Sequence, residues 1–281
     1  MKKLPIVGTS AATTAFCATR IEGPQGTFLY VDGNGKIARD NGTLAEPKPN
    51  AFSLLSQGVE DKAGRGGTHC PGATPTCTAS CYVDGLAKHA ADTYALYEHN
   101  SAEIRKILAN DQLACEWVML LARWITDNVS SFRWHVSGDV FSLEYAQWIA
   151  DVCAESPTVE HWIYTRSFQF LKPLVGVCTQ NGGPLALNLS ADKDNVNEAT
   201  YASMQDGIVL RLCYLTSAGE VPDYLVLDDV IFPDYSLRGG TEAGRAWFEA
   251  LQPHQKKMVC PVDFHGKSAE RRCGKCNLCL T

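Results

Sequence analysis

Residues 132–139 carry the sequence FRWHVSGD, in which apolar and polar side chains alternate. In a β-strand, one face of this segment would carry Phe132, Trp134 and Val136, and the other would carry Arg133, His135, Ser137 and Asp139. A parallel strand that helices cover on both faces is apolar throughout. The alternation therefore predicts a strand with one polar face.

The rest of the chain supplies five more strand-like segments, at residues 51–56, 161–165, 185–190, 208–214 and 224–227. Helical segments separate most of them, at residues 87–128, 143–155, 168–177 and 196–204. Six strands alternating with helices predict a parallel α/β sheet, arranged as a doubly wound sheet or as a partial (β/α)6 barrel. Polar residues on one face of three strands favour the partial barrel, whose lumen would hold a polar ligand near the C-terminal strand ends.

The chain divides into three predicted regions. Residues 1–50 contain turn signals and short β-like runs, which predict a small N-terminal extension. Residues 51–250 form the predicted partial barrel, and residues 251–281 form a cysteine-rich C-terminal segment. The sequence shows no repeat at a fixed period.

Composition and charge exclude several classes of protein. The 281 residues carry a net charge of −6, which argues against a protein that coats long nucleic acid by charge alone. No run approaches the roughly 18 apolar residues that span a bilayer, so no membrane partner is expected. Polar residues interrupt the apolar segment after the N-terminal lysines, so it is expected to belong to the folded protein rather than to a signal peptide. We expect a cytoplasmic monomer.

The twelve cysteines are unevenly spaced. Five of them occur singly and are expected to be structural, namely Cys17, Cys115, Cys153, Cys178 and Cys213. The other seven form two groups, one with Cys70, Cys77 and Cys81 and one with Cys260, Cys273, Cys276 and Cys279. These two groups are the candidates for metal binding.

The C-terminal group has the spacing C-x12-C-x2-C-x2-C. Three closely spaced thiolates can wrap one face of a cubane, and the remote Cys260, followed by Pro261, can supply the fourth corner of a 4Fe-4S cluster. Tetrahedral zinc and metal-free thiols, reduced or disulfide-bonded, are the alternatives. Lys and Arg outnumber Asp and Glu from residue 256 onward. These cations either offset the charge of a thiolate-ligated cluster or form a site for phosphate.

The first group has the spacing C-x6-C-x3-C and follows the first predicted strand of the barrel. Its three cysteines supply three ligands and leave one metal position open, which is typical of a catalytic centre. A structural zinc site completed by His69 or Asp84 is the alternative.

These features resemble the radical S-adenosylmethionine (radical SAM) superfamily, whose members hold a 4Fe-4S cluster by three cysteines after the first strand of a partial barrel. The usual spacing in that superfamily is C-x3-C-x2-C. Here Cys77 and Cys81 match its first half, and Cys70 completes the triad from the N-terminal side. The resemblance covers roughly residues 51–230. The chain also resembles a family of phage-encoded proteins from which no activity carries over.

The resemblance implies a binding site for SAM at the strand ends. The superfamily carries a Gly-Gly-Glu-like motif after the second strand, where it receives the SAM amino group, and this chain has Ser137, Gly138 and Asp139 there. Other residues on the later strands of the superfamily contact the ribose and the carboxylate of SAM. The residues of this chain that look like those positions are Asn188, Ser190 and Arg211.

The implied function is a radical SAM-like enzyme with two 4Fe-4S clusters. The first cluster would reduce SAM to methionine and a 5′-deoxyadenosyl radical, with electrons from a reductant such as flavodoxin or ferredoxin. The candidates for substrate binding or acid–base catalysis in the lumen are His135, Tyr164 and Arg133. A nucleotide or nucleobase is the expected substrate, and a peptide or a small metabolite is the alternative. The alternatives are an iron–sulfur enzyme that does not cleave SAM and a zinc-stabilised protein that binds nucleic acid.

Overall fold

The computed structural model describes residues 17–33, 48–56, 69–81, 83, 90–205, 207–217, 219–226, 228–265, 276 and 279. The strands within these ranges are β1 (Cys17–Glu22), β2 (Phe28–Gly33), β3 (Ala51–Phe52), β4 (Ser131–Trp134), β5 (Glu160–Thr165), β6 (Leu185–Ala191), β7 (Met204–Gln205), β8 (Ile208–Val209), β9 (Arg211–Leu215) and β10 (Val230–Phe232). The α-helices are α1 (Pro75–Ala79), α2 (Ala91–Leu108), α3 (Asp111–Asn128), α4 (Leu143–Glu155), α5 (Leu171–Gly176), α6 (Val196–Ser203), α7 (Glu242–Ala250), α8 (Pro253–Met258) and α9 (Pro261–His265).

Eight of these strands form one open, mostly parallel sheet in the order β1-β2-β3-β4-β5-β6-β9-β10. The antiparallel hairpin of β1 and β2 pairs with β3 through Asp32 and Ala51. All the pairs from β3 to β10 are parallel. The fold is therefore mixed α/β, and part of the predicted N-terminal extension belongs to the main sheet.

The six parallel strands follow one another in the sheet in the same order as in the chain. A doubly wound sheet reverses its strand order at one point, and no reversal occurs between β3 and β10. Consecutive helices from α2 to α5 contact one another. They share one apolar core with strand side chains such as Trp134, Ile163 and Leu187. These helices therefore form a layer on one face of the sheet.

The opposite face of the parallel strands, called the inner face below, carries Ala51, Arg133, Trp162, Tyr164, Ala186, Asn188, Ser190, Arg211 and Cys213. Its apolar members Ala51, Trp162 and Ala186 form a small cluster apart from the main core, and Tyr164 packs against it. The face therefore combines polar side chains with aromatic and apolar ones. The prediction of polar residues on one face holds for β6 and β9, and in β4 it holds for Arg133.

The main core contains one fully buried histidine, His161. The indole N–H of Trp134 donates to its Nδ1 (3.3 Å), and its Nε2 lies 2.9 Å from the Ser156 hydroxyl. That hydroxyl donates to the carbonyl of Val152 (2.6 Å), so the imidazole proton must lie on Nε2 and point at Ser156. Burial lowers the pKa of His161 to about 4, and the ring is neutral near pH 7.

The predicted helix at 143–155 has the bounds of α4, but other predicted segments differ from the structure. The helix predicted at 87–128 is divided into α2 and α3, because the Asn110 side chain accepts the N–H of Leu113 and starts a new helix. The segment at 208–214 is split between β8 and β9. The segment at 51–56 is a strand only at Ala51 and Phe52.

The strand predicted at 224–227 is wrong, since the described residues there form a turn and the last strand is β10. The cause is Asp229, whose buried carboxylate accepts the backbone N–H groups of Leu212 (2.8 Å) and Val226 (2.9 Å). These two bonds bend the chain back toward β9 before β10 begins.

Candidate functional site

The first cysteine loop (residues 69–81) lies across the C-terminal ends of the parallel strands. Just after β4, the N–H of Asp139 donates to the carbonyl of His69 (2.7 Å). Just after β5, a Cβ atom on Gly72 would clash with the carbonyl oxygen of Arg166, so the two backbones are in direct contact. The loop therefore lies at the edge of the sheet where parallel α/β proteins bind their ligands.

Thr74 fixes helix α1, which carries Cys77, to the end of β6. Its hydroxyl oxygen accepts the N–H of Cys77 (3.0 Å) and donates to Asp192 Oδ2 (2.6 Å). Pro75 occupies the first helical position, where the missing N–H removes no helical hydrogen bond. The position of Cys77 relative to β6 is therefore well defined.

A buried ion pair lies beside Cys77. Arg166 Nη1 is 2.7 Å from Asp192 Oδ2, and the two side chains are 10% and 0% exposed. Burial raises the pKa of the Cys77 thiol, whereas the neighbouring Arg166 guanidinium, which also hydrogen-bonds the thiol, opposes that increase. A guanidinium in this position favours the thiolate, the form that binds metals.

Cys70 and Cys81, like Cys77, are partly exposed. Cys81 packs against an apolar cluster that includes Leu55 and Tyr97. Within the described part of the chain, no group of three or more His, Cys, Asp or Glu side chains is arranged to hold a metal ion. Asp84, the alternative zinc ligand, lies outside the described residues.

Gly138 brings the segment after β4 against the segment after β3. Its φ is +83°, and an added Cβ would lie 2.7 Å from Leu54 Cβ and 3.2 Å from the carbonyl oxygen of Leu55. The carbonyl of Ser137 accepts the N–H of Leu54 (2.9 Å). Glycine is therefore needed at position 138 because other backbone atoms approach it closely. Those atoms belong to Leu54 and Leu55 of the same chain.

Asp139 links the ends of β4 and β5. Its side chain is buried; Oδ1 accepts the N–H of Val140 (2.7 Å) and Oδ2 accepts the N–H of Arg166 (2.8 Å). Burial raises the pKa of this carboxyl, and hydrogen bonds from Thr165 and from these backbone groups work against the increase. Both carboxylate oxygens therefore hold loop backbone at the strand ends.

Asp139→Asn is expected to destabilise the protein by about 1 to 3 kcal/mol, because one of the two backbone N–H groups would then face an amide NH2. Denaturant unfolding at pH 7 measures this loss, and Asp151→Asn on the exposed side of α4 is the matched control. An unchanged free energy of unfolding would show that Asp139 does not hold the two loops. Any weakening of SAM binding in this variant must be measured under conditions where it is fully folded.

The His135 side chain does not lie on the inner face, so its predicted placement on the same strand face as Arg133 is wrong. β4 ends at Trp134, and the alternation of side chains ends with it. His135 Nε2 is instead 2.7 Å from the hydroxyl of Tyr145 in α4. Burial lowers the pKa of His135 to about 3, with smaller contributions from Arg133 and His69. The imidazole is therefore neutral and faces the helix layer.

His69, which precedes Cys70, has a defined tautomer. Arg105 Nε donates to His69 Nε2 (3.3 Å), and because a guanidinium cannot accept, the imidazole proton lies on Nδ1. That Nδ1 is buried and has no hydrogen-bond partner among the described residues. A buried N–H of this kind can donate a hydrogen bond to an acceptor such as a sulfur atom or a carboxylate oxygen.

The structure brings together five of the predicted site residues on the inner face. The sheet register pairs Tyr164 with Asn188 and Asn188 with Arg211. Arg211 Nη1 donates to Asn188 Oδ1 (3.4 Å), and the Arg133 guanidinium lies 5.1 Å from the centre of the Tyr164 ring. Ser190 lies two residues further along β6. These side chains form one polar and aromatic surface that leads to the strand ends.

The described part of the C-terminal segment lies on this same face. The Asn188 amide donates to the carbonyl of Cys279 (3.2 Å), and the N–H of Cys260 donates to the carbonyl of Ile231 in β10 (2.8 Å). Cys273 lies outside the described residues. Cys279 and Cys260 are therefore held against β6 and β10.

Sequence reasoning missed the position of Cys213. Its thiol lies in one buried cluster with Val230 and Cys260, and Cys279 packs against that cluster. Burial, together with the hydrogen-bonded Cys279 thiol, raises the pKa of Cys213 well above its usual value. The alternation of side chains along β9 could have indicated this position, because it places Cys213 on the same strand face as Arg211 and not on that of Leu212.

A cavity of about 310 Å³ lies beside the C-terminal segment. Its lining includes Lys256, Lys257, His265 and Cys276. Lys256 also pairs with Glu249 (3.2 Å). The hypothesis that the basic segment binds phosphate stays a prediction.

The fold and site define an α/β protein with a mostly parallel sheet, one cysteine loop over the strand ends and a second cysteine group on the inner face. The chain belongs to the Gene product 88 family, whose sequence model matches residues 28–281. This membership agrees with the resemblance to a phage-encoded family. No curated protein and no solved structure matches the chain. Across the described ranges, no helix combines the length and the apolarity needed to cross a membrane.

Proposed function

We propose that this protein is a radical SAM-like iron–sulfur enzyme whose six parallel strands form a partial (β/α)6 barrel. Three features support this proposal: the strand order without reversal, the helix layer on one face, and the cysteine loop over the C-terminal strand ends. In such a barrel, the inner face would be the lumen in which a polar ligand binds.

The observation that carries the proposal is that both cysteine groups lie against β6. Cys77 is beside Arg166 and Asp192, which follow β5 and β6, and Cys279 is bonded to Asn188 within β6. Asn188 and Asp192 have the same side-chain parity and are on the order of 13 Å apart along the chain direction. The positions of Cys77 and Cys279 on either side of one polar surface support a single cofactor site.

The donor set fits iron–sulfur clusters, because cysteine thiolates are their usual ligands. Cys70, Cys77 and Cys81 would hold the first cluster, and the second would be held by Cys260, Cys273, Cys276 and Cys279. The buried Nδ1–H of His69, adjacent to Cys70, would donate a hydrogen bond to a sulfur atom. A bound cluster with an open iron position supplies the electron for reductive cleavage of SAM.

The inner-face residues would position the reactants. Asn188, Ser190 and Arg211 would bind polar groups of SAM, while Arg133 and Tyr164 would contact the substrate, for which a nucleotide or nucleobase is our candidate. Ser137, Gly138 and Asp139 would shape the strand end next to the SAM amino group. Flavodoxin or ferredoxin would be the reductant in the cytoplasm.

Anaerobic reconstitution with iron and sulfide, followed by SAM and dithionite, tests the proposal. We expect about eight irons per chain, broad absorption near ~400 nm and formation of 5′-deoxyadenosine. Iron binding without 5′-deoxyadenosine would overturn SAM cleavage and favour an iron–sulfur enzyme of another kind. A colourless protein with stoichiometric zinc would overturn the whole proposal and favour a zinc-stabilised binding protein.

A further inference from the structure

We propose that the cavity beside the C-terminal segment binds an anionic ring compound of about the size of a nucleoside monophosphate. The cavity measures about 310 Å³, and its walls come from α7, α8, α9, the residues between α8 and α9, and Cys276. None of the inner-face residues lines it. The cavity is therefore a second site, and ligand binding there does not depend on the function proposed above.

Contacts with the sheet and with a preceding turn hold the walls of the cavity in place. Val259 belongs to the main core and bridges to Ile231 in β10. The N–H of Gly239 donates to the carbonyl of Phe264 (2.8 Å), and a Cβ atom on Gly239 would lie 2.9 Å from the Phe264 ring. These contacts fix α9 and Val259, so the fold itself sets the shape of the cavity.

One wall of the cavity is aromatic. The rings of Phe248 and Phe264 are stacked with their centroids 4.7 Å apart, and the His265 ring packs edge-on to Phe264 at 4.6 Å. Phe264 is buried, whereas Phe248 and His265 keep exposed surface. Aromatic side chains bind other rings by offset stacking or by edge-to-face contact. This wall therefore favours a ligand with a planar ring.

Another wall carries two lysines. Gln255 and Met258 are buried on one side of α8, so Lys256 and Lys257 lie on its other side. Lys256 pairs with the exposed Glu249 (3.2 Å), whereas Lys257 makes no ion pair within the described residues. Among the described residues that line the cavity, none is Asp or Glu. The charge of this wall therefore favours an anionic ligand.

The ring-binding wall and the charged wall together define the class of ligand. An ammonium group binds phosphate as a compact charge with three donors and needs no bidentate geometry. Small-molecule sites range from about 300 to 1,000 Å³. A volume of about 310 Å³ therefore suits one ring system with one phosphate better than a dinucleotide. A nucleoside monophosphate meets these requirements.

Calorimetric titration of the full-length protein with adenosine 5′-monophosphate (AMP) tests this site. Adenosine and ribose 5-phosphate are titrated separately, because they carry the ring and the phosphate alone. We expect AMP to bind at least about tenfold more tightly than either part, since both walls contribute to its affinity. Absence of AMP binding at a concentration of about 5 mM would overturn the inference.

Two variants assign the binding to this cavity. Lys257→Met removes the ammonium group and should weaken the binding of AMP and ribose 5-phosphate about fivefold or more, while adenosine binds as before. Phe248→Leu removes a ring and should weaken the binding of AMP and adenosine, while ribose 5-phosphate binds as before. Lys172→Met, at an exposed position in α5, is the matched control and should bind all three compounds like the wild type. Unchanged AMP affinity in both cavity variants would place the binding elsewhere and overturn the inference.

A third measurement uses only the wild type, in case either variant fails to fold. Light converts 8-azidoadenosine 5′-monophosphate into a nitrene with loss of N2, and the nitrene inserts into a nearby C–H or N–H bond. We expect peptide mass spectrometry to find the label within residues 248–265 or at Cys276, and excess AMP to prevent this labelling. Labelling at other residues, or labelling that AMP does not reduce, would contradict the assignment of the cavity.

Failure of this inference and failure of the proposed function are distinguishable, because AMP binding requires neither iron nor SAM. A protein that binds AMP through Lys257 but cleaves no SAM keeps this site and overturns only the proposed enzyme. A protein that cleaves SAM but does not bind AMP overturns only this site.

Discussion

Replacement of Cys70, Cys77 and Cys81 together by Ala is expected to remove about half of the bound iron and all cleavage of SAM while the chain remains folded. Cluster binding at this loop depends on the thiolates, and three protein ligands leave no substitute donors. The fold depends on other groups. The loop is attached through the Thr74 hydroxyl and the carbonyl of His69, which the three substitutions leave in place.

Iron analysis, SAM cleavage assays and thermal unfolding of the metal-free forms together measure this result. A variant with Cys115 and Cys178 replaced by Ala is the control, since one of these cysteines is exposed and the other lies in the main core. Full iron content in the triple variant would overturn the assignment of the first cluster. Loss of the folded state in its metal-free form would show that the thiols themselves support the fold.

The sequence predicted the parts of the fold that depend on local signals. Helix α4 has its predicted bounds because Ser142 accepts the N–H of Tyr145 and the apolar residues repeat on one helical face. The strands β5 and β6 were found from alternation and β-branched or aromatic residues. The order of strands then follows from the chain, because successive parallel strands are usually neighbours.

The site was less predictable because it depends on contacts between distant residues. Alternation placed His135 on the inner face, but β4 ends one residue earlier and the imidazole meets Tyr145 in α4. Asp139 was interpreted as a ligand for an ammonium group, yet its oxygens hold two backbone N–H groups. The proximity of Cys213 to Cys279 joins residues 66 positions apart, which no local spacing could indicate.

Three buried histidines, which are neutral in the folded state, are each expected to lower the stability of the protein as the pH falls from 6.5 to 4. Burial lowers the pKa of His161 to about 4, of His135 to about 3 and of His69 to about 4. Each imidazole is protonated on unfolding below pH 6.5, so the unfolded chain binds more protons and stability falls with pH. Each imidazole lowers the free energy of unfolding by about 1.4 kcal/mol for every pH unit that the pH falls in this window.

Three buried carboxyls oppose this trend, because burial raises the pKa values of Asp32, Asp139 and Asp229. Burial raises the pKa of Asp32 to about 7, against hydrogen bonds from Ser53 and Tyr97. Its contribution to stability is complete below pH 3.8 and is lost as the pH rises toward 7. Between pH 4 and 6.5 each of the three imidazoles takes up a proton on unfolding, whereas a carboxyl with a raised pKa releases one. The carboxyls therefore reduce the acid destabilisation that the imidazoles cause.

His161→Gln isolates the contribution of one imidazole. The variant is expected to be about 1 to 3 kcal/mol less stable at pH 7.5, because the N–H of Trp134 loses its acceptor. The deficit should shrink by about 1.4 kcal/mol per pH unit below pH 6, since the variant no longer takes up that proton on unfolding. Urea unfolding of metal-free protein at half-unit intervals from pH 4.5 to 7.5 measures the free energy of unfolding of the wild type and of the variant. His254→Gln, at an exposed position in α8, controls for the substitution itself. If the free energies of unfolding of the wild type and His161→Gln change in parallel with pH, His161 takes up no proton on unfolding. The description of His161 as a neutral, doubly hydrogen-bonded imidazole would then be wrong.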